Sequence, residues 1–84
     1  MDREDKILDI VRQTAHYLDE TGVSAQKITV IAPFLRELNY KTRYYISTYQ
    51  TISSFRIEIQ DRHWDEYGNV DYATIGCWTW PVAS

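Results

Sequence analysis

The stretch "SSFRIEIQDRH", residues 53–63, alternates apolar and polar side chains: Phe55, Ile57 and Ile59 share one parity, Arg56, Glu58 and Gln60 the other. A period of two marks a strand with one buried face. "HWDEYGN" follows with turn chemistry at Gly68-Asn69, and "VDYATIGCWTW" is a second run rich in β-formers. Two such runs around a Gly-containing loop predict an antiparallel hairpin.

Its register decides what each face carries, because a slip of one residue turns every side chain over. Placing Ile57 opposite Ile75 sets Ile59 against Ala73 and Phe55 against Cys77, a compact apolar face. Tyr72, Trp78 and Trp80 then lie on the other face, beside Arg56, Glu58 and Gln60. The alternative, Phe55 opposite Trp78 and Ile57 opposite Gly76, leaves Ala73, Ile75 and Cys77 outside. The first register is preferred.

Upstream, "DREDKILDIVRQTAHYLDETG" carries Ile7, Leu8, Val11, Ala15 and Leu18 at helical spacing. Asp2 is a ready N-cap, Glu4 and Asp5 suit the positive end of the dipole, and Gly22 suits the stop. A helix is predicted over about residues 3–20. The middle is ambiguous: "KITVI" reads as a short strand, "PFLREL" as a helical turn started by Pro33, and Asn39 as its breaker. "TRYYISTYQTISS" has strand composition, yet Tyr45, Tyr49 and Ile52 also fit a helix. The "TISS" that would turn it back contains no Gly, Asn, Asp or Pro.

The expected fold is therefore α+β in a single domain spanning 1–84: an N-terminal helix packed on a small antiparallel sheet dominated by the C-terminal hairpin. A helix over residues 42–52 would instead give the element order of a winged helix. In that alternative Lys41, Thr42 and Arg43 open a recognition helix and Arg62 stands at the wing.

The chemistry is mostly one of exclusions. A net charge of −3 and the lack of any basic run rank nucleic acid below protein as a partner. One cysteine, Cys77, allows no internal disulfide, and its strand position is read as core. The acidic, mixed N-terminus does not read as a signal peptide, and the longest apolar run, "VIAPFL", is too short to span a membrane. A cytoplasmic protein is expected. His63, Asp65 and Glu66, with Asp61 nearby, lack zinc or calcium spacing, so no metal or other cofactor is expected. His16 reads as a surface residue. No phosphate-binding glycine loop, serine nucleophile motif or convincing carboxylate pair is present, and the chain is read as non-enzymatic.

The aromatic residues remain. Trp64, Tyr67, Tyr72, Trp78 and Trp80 all fall on the hairpin or its tip, and tryptophan and tyrosine are favoured at interfaces. With one helix covering one sheet face, Trp78 and Trp80 are left to build a sticky surface; if the chain folds over them they are core instead. The expected partner-binding set is Trp64, Asp65, Glu66, Tyr67, Tyr72, Trp78 and Trp80. The function expected is a small acidic interaction module, an inhibitor or adaptor docking on a larger protein, with a basic surface as its complement. A homodimer through the aromatic face or a free strand edge is a further expectation. The second functional reading is a winged-helix DNA-binding regulator.

Overall fold

A computed structural model describes residues 2–83; the side chain of Lys41 lies outside the described part. Helix α1 (Arg3–Thr21) leads into a two-residue strand β1 (Val23–Ser24), helix α2 (Ala25–Leu38) and one 3₁₀ turn (Asn39–Lys41). Strands β2 (Tyr44–Gln50), β3 (Ser54–Trp64) and β4 (Val70–Ala83) complete the chain. The sheet order is β1-β4-β3-β2, antiparallel except for the short β1/β4 pair. The α+β expectation, helix on antiparallel sheet with a C-terminal hairpin, is what the chain adopts.

Helix α1 forms as its signals dictate. Asp2 accepts the Asp5 N–H at 2.9 Å, and Gly22, at φ 79°, donates its N–H to Leu18. Its last turn carries no basic side chain, and Lys27 of α2 supplies one from outside. The Lys27 ammonium donates to the Thr21 and Gly22 carbonyls at 3.1 and 2.8 Å, covering the negative end of the helix and clamping the α1–α2 junction.

Helix α2 corrects the strand reading of "KITVI". Ser24 caps it through the Lys27 N–H, and Ile28, Leu35 and Leu38 are buried at helical spacing across Pro33. Pro33 lies inside this helix rather than starting one. Burial of that stripe outweighs the lost backbone bond.

Residues 44–50 form a strand, paired residue for residue with β3 from Tyr44/Asp61 to Gln50/Phe55. No recognition helix exists there, and the winged-helix alternative is corrected. The turn, which contains no Gly, Asn, Asp or Pro, is built by Thr51. Its hydroxyl accepts the N–H groups of Ser53 (3.3 Å) and Ser54 (2.9 Å), while its own N–H donates to the Ser54 carbonyl. A threonine here does what aspartate usually does.

The β3/β4 register also differs from the preferred one. Phe55 lies opposite Trp80, Ile57 opposite Trp78 and Ile59 opposite Gly76; a bulge at Ile75 then shifts the pairing to Gln60/Thr74 and Asp61/Ala73. Trp78 and Trp80 thus share the inner face with Phe55, Ile57 and Ile59, and Cys77 is turned outward and exposed. The core joins Ile7, Val11, Ala15 and Leu18 of α1 to the buried stripe of α2, Val23, Tyr44, Ile46 and that inner face.

Candidate functional site

β2 ends its pairing at Tyr44/Asp61, so beyond that point β3 and β4 continue as a two-stranded arm, and residues 63–75 are exposed. The molecule is correspondingly elongated, 48 × 28 × 18 Å. A bare two-stranded ribbon is marginal on its own, so the arm needs a root. Tyr72 provides it, meeting Tyr45 of β2 edge-on at 5.9 Å between ring centroids. Arg62 adds to it, its Nη2 donating to the Tyr44 carbonyl at 2.8 Å and its guanidinium lying over the Tyr45 ring.

At the tip, Asp65 organises the turn. Its Oδ1 accepts the N–H groups of Tyr67 and Asn69, both at 2.9 Å, and Gly68 turns the chain at φ 82°. The Asn69 N–H, ahead of the Tyr67 N–H, holds this carboxyl below the usual aspartate range. A depressed pKa contributes stability that is complete above the ordinary aspartate pKa of about 3.9 and lost as pH falls through the lower folded value. Exchange protection of the Tyr67 and Asn69 amides is therefore expected to hold from neutrality to about pH 5 and to weaken only in stronger acid. Asp65→Ala should abolish that protection at every pH. Equal protection in the variant would show that the carboxylate does not organise the turn.

The residues expected to bind a partner divide sharply. Trp64 (70% exposed) and Tyr67 (80%) stand out from the arm with Glu66 between them, and Val70 adds apolar surface. Asp65 directs one oxygen into the turn, and Tyr72 is half engaged by Tyr45. Trp80 is 7% exposed, stacked on Phe55 at 6.2 Å, with its Nε1–H donated to Asp19 at 2.6 Å. Its assignment as contact surface is corrected: the ring is core. Trp78 is half-buried on the same face.

The set expected to read DNA is differently employed. The Thr42 hydroxyl donates to Glu4 of α1, as does the Arg43 N–H at 3.2 Å, tying the entry to β2 onto the first helical turn. The Arg43 guanidinium is 3.2 Å from Asp61, which, foremost among its neighbours, raises its pKa, and it lies over the Tyr44 ring. Arg62 is held at the arm's root. These contacts hold Thr42, Arg43 and Arg62 at the edge of the sheet; Lys41's side chain falls outside the described residues.

One surface escaped the sequence reading. Ile10 and Tyr17 of α1 with Ile31 and Phe34 of α2 line one shallow apolar depression, and Tyr17, Val30 and Ile31 line a second that shares two of these residues, with Val30 70% exposed. The signal was α2's apolar residues on more than one side, which the strand reading of "KITVI" concealed.

Among the described residues no three His, Cys, Asp or Glu side chains gather to hold a metal ion, and no helix is long and apolar enough to cross a membrane. No protein-family model, curated protein or solved structure matches the chain.

Proposed function

We propose that this chain is a non-catalytic interaction module that docks on a larger protein through the tip of its β3–β4 arm. The observation that carries the reading is the placement of Trp64 and Tyr67: two large aromatic side chains exposed on a protruding ribbon braced at its root. Such residues bury large area at low entropic cost, the usual character of interface anchors. Glu66 and Asp71 are exposed on the same arm and favour a basic complement, including a groove that otherwise holds nucleic acid. An inhibitor or adaptor acting in the cytoplasm, where the exposed Cys77 stays a thiol, fits this surface.

The test is affinity capture with the full chain as bait, followed by titration of the captured protein against Trp64→Ala and Tyr67→Ala. Each truncation is expected to weaken binding by about 2 kcal/mol, roughly thirtyfold, while leaving the thermal midpoint within a few degrees. Undiminished capture by the doubly substituted chain would refute the reading.

A further inference from the structure

The two long edges of the sheet differ next to the arm. On β2, the Asn39 side chain pairs with both backbone groups of Ile46, its Nδ2 donating to the carbonyl at 2.6 Å and its Oδ1 accepting the N–H at 2.5 Å. Tyr44 is closed in the same way, its N–H by the Thr42 hydroxyl and its carbonyl by Arg62. Side chains thus stand where a neighbouring strand would bind along Tyr44–Ile46, while among the described residues no hydrogen bond from another element closes the outward groups of Thr48 and Gln50.

β4 is covered by β1 only at Val82 and Ala83. The Val82 N–H donates to the Ser53 carbonyl, which fixes the alternation. Phe55/Trp80 and Ile57/Trp78 are hydrogen-bonded pairs, so Cys77 and Thr79 direct their N–H and C=O groups away from β3. Pro81, next in that series, presents no N–H. On the other side of the bulge the Tyr72 N–H is taken by the Asp71 carboxylate. Among the described residues, no hydrogen bond from another element closes the outward groups of Cys77 and Thr79. The open window, residues 74–79, is uncharged and rich in β-formers, the composition that pairs edge to edge.

We propose that the Cys77–Thr79 part of this window pairs with the same three residues of a second copy, antiparallel about a twofold axis at Trp78. Cys77 then faces Thr79 of the partner subunit, and each strand exchanges its two outward N–H and C=O groups, four hydrogen bonds in all. Three features select a second copy. An antiparallel edge contact is self-complementary under a twofold axis. The segment brings no like charges together. Trp78, half-buried in one chain, meets its own counterpart across the axis on the inner face and completes its burial. Trp64 and Tyr67 stay free at both arm tips, so this contact is independent of the docking proposed above.

The test is light scattering on the full chain from micromolar to millimolar concentration, with amide exchange measured at both ends of the range. The expected result is a monomer–dimer transition in which the Cys77 and Thr79 amides gain protection as the dimer fills. Thr79→Lys, which puts a charge on the free edge without touching the core, should weaken association tenfold or more. A chain that remains monomeric throughout would overturn the proposal. So would a dimer whose Cys77 and Thr79 amides exchange as fast as in the monomer, or one abolished by Val30→Glu with Phe34→Glu but untouched by Thr79→Lys. Should Thr79→Lys fail to fold, the exchange pattern of the native chain decides alone.

Discussion

Trp80→Ala is expected to remove about 3–5 kcal/mol of stability, a large share of the ~5–15 kcal/mol a domain of this kind has in total. The indole is 7% exposed and stacked on Phe55, itself one of the most deeply buried side chains, so truncation opens a cavity on the inner sheet face. It also cuts the link from β4 to α1, in which Asp19 accepts the indole N–H. Trp80→Phe separates the two effects. It keeps most of the ring and loses only the donor, and it should cost about 1 kcal/mol. Trp64→Ala provides the contrast, since its ring stands in solvent and its loss should fall within about 0.5 kcal/mol of neutral. Urea denaturation followed by circular dichroism would rank the three. Equal destabilisation by Trp64→Ala and Trp80→Ala would contradict the division of the tryptophans into contact surface and core.

That division was half visible in the sequence. Helix α1 was legible because cap, dipole, apolar stripe and terminal glycine all agree, and local agreement of that kind survives folding. The hairpin was legible for the same reason. Its register was not, because one residue of bulge at Ile75 reverses parity along β4. Before the bulge, Tyr72 is on the outer face and Ala73 on the inner, as alternation implies. Beyond it, Ile75 and Cys77 lose the inner face to Gly76, Trp78 and Trp80. An unbroken alternation prefers the small aliphatic set and leaves the tryptophans outside, so the candidate site acquired two residues that belong to the core half of the strand.

The other misreadings have equally local causes. Thr51 makes a turn through its hydroxyl, a weaker signal than Gly, Asn or Asp, and that weakness obscured the β2–β3 hairpin. Pro33 reads as a helix start, while the stripe Ile28, Leu35 and Leu38 runs through it. The tip residues Trp64, Glu66 and Tyr67 were legible as exposed because aromatic rings amid turn chemistry have nothing to pack against. What no pattern conveyed was the difference between the edges. Asn39 is seven residues from Ile46 in sequence and acts on it only after the chain has folded back.

Gly76→Val is expected to cost about 1–3 kcal/mol, and Gly76→Ala less, by contact rather than by conformation. Gly76 is not among the glycines with positive φ, which are Gly22 and Gly68, so its backbone would accept a side chain. The space would not. A Cβ at Gly76 would lie 2.6 Å from Cη2 and 3.0 Å from Cζ3 of Trp78, and 3.1 Å from Cγ2 of Ile59. The Trp78 indole rests on the bare backbone of Gly76, the first residue past the bulge, and Ile59 closes the space from β3. Any side chain there must swing the indole away from the core, exposing apolar surface and loosening β4 where the bulge already weakens its pairing. The measurement is a double-mutant cycle on urea stability, Gly76→Ala with Trp78→Leu. If the ring is the obstacle, Gly76→Ala should cost markedly less in the Trp78→Leu background, with a coupling of about 1 kcal/mol. Tryptophan emission should shift to the red in Gly76→Ala and Gly76→Val. An unchanged cost in both backgrounds would mean that the glycine serves the bulge itself and that the fit of Trp78 against it is incidental.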